Sequence, residues 1–434
     1  MKKLLALYLT MGWGILLIAQ NYTSYFTGSL VNAVTEPLGG VCLMGGAIED
    51  NNAMRWFLQR ANGGDVLVIR ASGADGYNAY FYNDLGVAIN SVETLVFNNV
   101  QAASDPYVLE RINRAEAIWI AGGDQNNYVI FWRGTPLAAA INQRIANDQL
   151  VIGGTSAGMA ILGGVYFSAS NGTVTSAQAL ANPYDSRVTI SNIPFLRVPF
   201  LAKVITDTHY DNPDRRGRQI AFLARATTDY GGKYFGLACD EYTAVCIDNN
   251  GLANVYGTYP DYDDNAYFIT SNCGLANSSP EQCVGGQPLS WNHGGQALKV
   301  YTVKGTPTGI YSFDLSTWEN GTGGEWQDWS VVAGSFAALA GEDPNCSPVA
   351  TQSPRETVAF KVYPNPTNQG QISVEIGHPE GGQLQLLDQS GRVLRHWDKL
   401  KSADSLDLSN FPPGIYFLAY TTENSRQVRQ VVIH

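Results

Sequence analysis

Between residues 38 and about 250 the chain alternates short apolar, β-rich runs with helical periods that lie between several of them. The runs fall at 41–44, 66–69, 95–97, 118–121, 150–152, 204–206, 235–238 and 243–247, with helical patterns at 51–60, 136–146 and 217–227. Strands that alternate with helices can bury both sheet faces when they run mostly parallel with helices packed above and below. The expected class is α/β, a mostly parallel sheet with helices on both faces. Ligands on such sheets collect at the carboxyl ends of strands, so chemistry is to be sought in the strand-end loops.

Two of those loops are built from small residues. The run ending Ile120-Ala121 continues into Gly122-Gly123-Asp124-Gln125, and the run ending Ile152 continues into Gly153-Gly154-Thr155-Ser156-Ala157-Gly158-Met159. The second satisfies G-x-S-x-G in a strand, sharp turn and helix setting. Its small residues let the chain reverse without Cβ clashes, leaving the Ser156 hydroxyl above the sheet edge. The Ala157 N–H then points from a helix start toward the oxyanion that forms when Ser156 attacks a carbonyl. A tight connection with no chemistry would use the same residue types.

A serine nucleophile needs a base, and the base needs an orienting carboxylate. His378, His396 and His434 fall in the C-terminal part, which leaves His209 and His293; His209, in Asp207-Thr208-His209-Tyr210 at a strand end, is favoured by position. Asp207, Asp240 and Glu241 are the carboxylates within reach of strand ends.

Composition bounds the rest. The chain has 434 residues, 45% hydrophobic, with 23 Tyr, 9 Trp and 15% charged residues, which excludes a disordered chain or a coiled coil. With 27 basic against 38 acidic residues and no Lys/Arg run, it lacks the phosphate-neutralising surface of a nucleic-acid binder, so no nucleic acid is expected. Residues 1–20, with Lys2 and Lys3 before an apolar run, read as a secretory signal peptide.

Export makes the cysteines candidates for disulfides. Cys273 and Cys283 bracket a turn-rich loop and are the first pairing expected. Cys239 and Cys246 can pair across a hairpin or remain buried thiols, Cys42 belongs to a core, and Cys346 lies in a linker without an assigned partner. No Cys/His spacing suggests zinc. Beyond the Pro/Ser-rich linker 341–357, strand runs at 360–363, 372–376, 384–387, 415–418 and 431–433 point to a small antiparallel sandwich over 358–434.

Two resemblances follow from these residues. The sequences VYPNPTNQGQISVEI, LLDQSGRVL, LDLSNFPPGIYFL and the terminal VRQVVIH resemble the C-terminal sorting domain of the type IX secretion system of Bacteroidetes. That resemblance implies secretion or cell-surface location and partnership with the outer-membrane secretion machinery.

The loop Gly122-Gly123-Asp124-Gln125, the Ser156 elbow, Asp207-Thr208-His209-Tyr210 with Arg215-Arg216-Gly217-Arg218, and Gly236-Leu237-Ala238-Cys239-Asp240-Glu241 together resemble the cyanophycinase and aspartyl dipeptidase (dipeptidase E-like) family of serine peptidases. The resemblance implies a flavodoxin-like fold close to class I glutamine amidotransferases, over a domain at 21–340. It also implies a catalytic set Ser156, His209 and Glu241, an oxyanion hole of Gly123 and Ala157, and substrate contacts at Gln125, Asp207, Arg215 and Arg218. The arginines otherwise form a solvated helix start.

The chain departs from the family pattern at Met159 and at Tyr210-Asp211-Asn212-Pro213-Asp214, both expected near the substrate pocket. The function expected is hydrolysis of aspartyl or β-aspartyl peptide or isopeptide bonds with no cofactor and no metal. Homodimerisation is left open. A catalytically silent surface-binding protein, drawing on the Tyr/Trp-rich stretch after residue 251, and an esterase or amidase are the alternatives.

Overall fold

The computed structural model describes residues 20–147, 149–344, 346, 360–368, 370–376, 382–388, 392–397, 400–422 and 425–434. Residues 1–19 of the signal peptide expected at 1–20 and most of the linker at 341–357 lie outside the described residues. The chain divides into two units, residues 1–346 and 347–434.

In the first unit the strands, in chain order, are β1 Tyr22–Gly28, β2 Gly40–Met44, β3 Asp65–Arg70, β4 Ser91–Phe97, β5 Ala117–Ile120, β6 Val151–Thr155, β7 Tyr166–Phe167, β8 Ile190–Ser191 and β9 Val204–Asp207. They continue with β10 Phe235–Cys239, β11 Ala244–Ile247, β12 Leu252–Tyr256, β13 Asn265–Ser271, β14 Leu298–Lys304, β15 Tyr311–Asp314, β16 Gly321–Thr322, β17 Gly324–Val332 and β18 Ser335–Ala340. The helices are α1 Asn51–Arg60, α2 Gly76–Ala79, α3 Pro106–Arg114, α4 Gln125–Trp132, α5 Pro136–Asn147, α6 Ala157–Ala160, α7 Ser176–Ala181 and α8 Arg216–Tyr230.

The main sheet has ten strands in the order β1-β4-β3-β5-β6-β2-β11-β12-β15-β16. Its centre, β4-β3-β5-β6-β2, is parallel throughout. Parallel strands covered on both faces read as continuous apolar runs, and every residue of β4 and β6 is buried. Along β2 successive side chains serve opposite faces: Val41 and Leu43 join one core cluster, Cys42 and Met44 another. The second cluster lies under α1, whose first turn is capped by the Asp50 carboxylate accepting from the N–H groups of Asn52 and Ala53.

All eight expected strands form, but over two sheets. β9 and β10 pair in parallel within a separate six-stranded sheet, β18-β17-β14-β13-β10-β9, whose other pairings are antiparallel. The chain leaves that sheet after Cys239, turns through residues 240–243 with Tyr242 at φ +62°, and enters the main sheet as β11 beside β2. Glu241 therefore sits on the corner where the chain changes sheets. The Tyr/Trp-rich stretch is divided between the sheets, β12, β15 and β16 extending the main one and β13, β14, β17 and β18 completing the second, and Trp291, Trp318 and Trp329 are buried core.

The expected Cys273–Cys283 bridge does not form. Cys273, just past the end of β13, is bonded to Cys346 instead, with Cα atoms 5.3 Å apart. β13 lies two strands from β17, which pairs with β18, so the chain leaving β18 returns beside Cys273. Cys283, near in sequence, is a buried thiol packed in the core beside Leu289 and Trp291. Cys239 and Cys246 are likewise free, as is the buried Cys42.

The second unit carries strands β19 Phe360–Tyr363, β20 Gln371–Ile376, β21 Gln383–Leu387, β22 Val393–Trp397, β23 Ala403–Asp407, β24 Gly414–Thr422 and β25 Ser425–Ile433. They make two antiparallel sheets, β19-β20-β23 and β22-β21-β24-β25, around one core that includes Phe360, Val374, Leu386, Leu418 and Val431. Among the described residues no helix is long and apolar enough to cross a membrane.

Candidate active site

At the carboxyl ends of the central parallel strands three loops converge, following β2, β5 and β6. The β6 loop carries Ser156 at φ +52° and ψ −117°, a conformation that costs a non-glycine residue about 1–3 kcal/mol. Hydrogen bonds hold it there: its N–H donates to the Met44 carbonyl at 3.1 Å, and its carbonyl accepts from Ala160 at 2.9 Å. The turn tolerates only small neighbours, since a Cβ on Gly158 would come within 2.1 Å of the Ile120 carbonyl oxygen.

His209 follows β9. Its N–H donates to the Gly45 carbonyl at 2.9 Å, and it too has a positive φ, +47°. Its ring lies between the other two groups: Nε2 is 2.8 Å from Ser156 Oγ, and Nδ1 is 2.5 Å from Glu241 Oε1. The Glu241 N–H donates to Asp211 Oδ1 at 2.9 Å, fixing the carboxylate's backbone. The three side chains that the sequence pairs through a family resemblance thus form one continuous hydrogen-bonded chain. His293, the other histidine of this unit, lies elsewhere, with Nε2 2.7 Å from the Ser279 carbonyl.

Beside Ser156 opens a cavity of about 220 Å³ whose lining includes Gly123, Gln125, Ala157, Asp207, Arg215 and Arg218. All four residues expected to contact substrate line it. The Gly122–Gly123 loop packs close to Ser156, with room of 3.6 Å between a Cβ on Gly122 and that of Ser156. Tyr128 braces this loop by donating its hydroxyl to the Ala121 carbonyl at 2.8 Å.

The charged residues divide unequally. Asp207 and Arg218, each 4% exposed at the side chain, form a two-pronged ion pair, with Arg218 Nε 2.8 Å from Asp207 Oδ2. Arg218 is therefore no part of a solvated helix start. Arg215 donates to the Thr208 carbonyl at 2.9 Å rather than to a carboxylate. Burial, with the like charge of Arg218, holds its guanidinium below the ordinary arginine range. Behind Glu241, burial pushes the Asp240 carboxyl up to about 7.

Met159 is fully buried in the core beside the cavity: its neighbours Ala157 and Ala160 line it, and so does Thr206, whose hydroxyl donates to the Met159 carbonyl at 2.8 Å. Sequence reasoning also passed over Gly45 and Gly46. A Cβ on Gly46 would come within 2.4 Å of the His209 ring, so this loop closes over the imidazole. The signal was present, since a Gly-Gly pair follows 41–44 as another follows 118–121. Among the described residues no cluster of His, Cys, Asp or Glu could hold a metal.

A strained serine at a strand-to-helix turn, hydrogen-bonded to an imidazole that meets a carboxylate in turn, is an arrangement able to activate a serine nucleophile. Residues 54–255 match Peptidase family S51 and residues 361–434 match the Secretion system C-terminal sorting domain. The S51 match thus falls within the first unit, and the sorting-domain match that follows it indicates secretion or the cell surface.

A cyanophycinase of Synechococcus elongatus is 26% identical over 227 residues, covering 50% of this chain and 66% of the relative. A cyanophycinase of Geminocystis herdmanii is 27% identical over 173 residues, covering 39% and 58%. The crystal structure of a peptidase from an acI-B1 Actinobacterium aligns with 14% identity and a TM-score of 0.37, over 51% of this chain and 89% of that one.

Proposed function

We propose that the chain is an exported serine peptidase that hydrolyses aspartyl or β-aspartyl peptide bonds through an acyl-enzyme on Ser156. One observation carries the reading: the unbroken sequence of contacts from Ser156 Oγ to His209 Nε2 and from His209 Nδ1 to Glu241 Oε1 at the wall of the cavity. His209 takes the Ser156 proton as the oxygen attacks the scissile carbonyl, and Glu241 holds the ring's tautomer and stabilises its cation. The N–H groups of Gly123 and Ala157 stabilise the oxyanion. The leaving amine takes the proton back from His209, and water, activated by the same ring, releases the acid.

Charge supports the substrate class. Among the described residues lining the cavity, Arg218 is ion-paired with Asp207 while Arg215 donates to the Thr208 carbonyl, so Arg215 can draw a substrate carboxylate into a cavity of about 220 Å³. The relatives named cyanophycinase favour the same class.

Ser156→Ala should lower hydrolysis of β-aspartyl-arginine and aspartyl dipeptides by about 10⁴–10⁶-fold. A fluorophosphonate probe should label the wild type but neither Ser156→Ala nor His209→Ala. Undiminished hydrolysis by Ser156→Ala overturns the mechanism. Labelling without cleavage of any aspartyl peptide overturns the substrate class alone.

A further inference from the structure

We propose that Cys42 and Cys246, both thiols in this structure, form a second disulfide in the exported protein and fasten β2 to β11 beneath the site. The two residues stand directly opposite each other in the antiparallel β2–β11 ladder. Their Sγ atoms are 3.7 Å apart, in van der Waals contact. Opposed residues of an antiparallel pair have Cα atoms about 4.5–5.5 Å apart, inside the span of about 4.4–6.8 Å that disulfides bridge. Closure therefore needs side-chain rotation rather than movement of the strands. The other free cysteines are placed differently: Cys239 directs its sulfur toward the Leu43 carbonyl, 3.9 Å away, and Cys283 packs in a separate core cluster.

Export supplies the chemistry. The sorting domain directs the chain to an oxidising compartment, where disulfides form and persist. One cysteine thiolate attacks the disulfide of an exported thiol oxidase, expelling one of its thiolates. The second cysteine then attacks the mixed disulfide and expels the other. The two thiols lose two protons and two electrons, and the oxidase disulfide becomes a dithiol. Both cysteines are fully buried beneath α1, and burial pushes the Cys246 thiol up, so the exchange belongs to folding, before α1 closes over them.

The bridge would secure the frame that carries the site. Directly beyond Cys42, Met44 accepts from the Ser156 N–H, Gly45 from His209 and Gly46 from Tyr242, while Thr243, three residues before Cys246, accepts from Gly45.

The test is a thiol count on the full chain, collected from the medium, acid-quenched, denatured without reductant and reacted with a maleimide. Of the four cysteines outside the Cys273–Cys346 bridge, two should label, Cys239 and Cys283. Peptide mapping should recover a linked Cys42/Cys246 pair, and Cys42→Ala should expose Cys246 as a third label. Four labels on the wild type, or a bridge joining other residues, overturns the proposal. Because the count and the map are made on denatured wild type, they decide whether or not the variant folds.

Discussion

Ser156 and His209 both hold positive φ, and each is bound through its backbone to a loop whose glycines admit nothing larger. Strain at such residues persists only where the surroundings over-determine it, and here Met44, Gly45 and Gly46 do so. Gly46→Ala tests that frame: a Cβ 2.4 Å from the imidazole must displace the ring from Ser156. It should cut kcat by about 10²-fold, the cost of roughly 1 Å of misplacement, while circular dichroism stays native. Glu241→Gln keeps the side chain's size but removes the charge facing Nδ1, and kcat should fall by about 10³–10⁴-fold with KM nearly unchanged. Ser156, His209 and Glu241 were legible because family order points to them. Gly46 was not sought, since its role is a contact with a residue 163 positions later along the chain, His209. The cysteines mislead for the same reason, because nearness along the chain made Cys283 look like the partner that Cys346 is.

At the scale of elements, β9 and α8 are joined by a buried charge pair. Asp207 closes β9 and Arg218 lies in the first turn of α8, so their ion pair fixes the helix against the strand end that carries His209. Removing one partner leaves the other charge buried and unpaired, and Arg218→Met should cost about 3–5 kcal/mol in urea unfolding. Asp207→Asn combined with Arg218→Met should recover most of that loss. The turn between β10 and β11 adds a pH dependence. Burial raises the Asp240 carboxyl to about 7, above its unfolded value, so the folded state holds a proton that the unfolded chain releases. Its contribution is fully present below about pH 4 and is lost as pH rises through about 7. Asp240→Asn should flatten that part of the stability profile. The parallel strands showed in the sequence as uninterrupted apolar runs. The second sheet did not, because β13, β14 and β17 are amphipathic strands whose partners are set by pairing across distant segments, and their aromatic residues resemble a binding surface until they are seen buried.

For the whole molecule, two units divide two tasks: the first holds the S51 match and the second the sorting match. A chain ending after Cys346 should keep its hydrolytic rate but stay cell-associated instead of reaching the medium, detected by fractionation. Where such a cut falls matters, because Cys346 closes the disulfide to Cys273 across a sequence separation of 73. Cross-linking a loop of that length removes about 4 kcal/mol of unfolded-chain entropy at 25 °C. Cys346→Ser in the full chain should therefore lower unfolding stability by about that amount, and Cys273→Ser should match it. The double variant should lose no more than either single one, the non-additivity expected of two residues sharing one interaction. Cys283→Ser, which touches no bridge, should change stability additively with both. Were Cys273 bonded to Cys283 instead, the additive variant would be Cys346→Ser, so urea unfolding of these four proteins separates the two pairings.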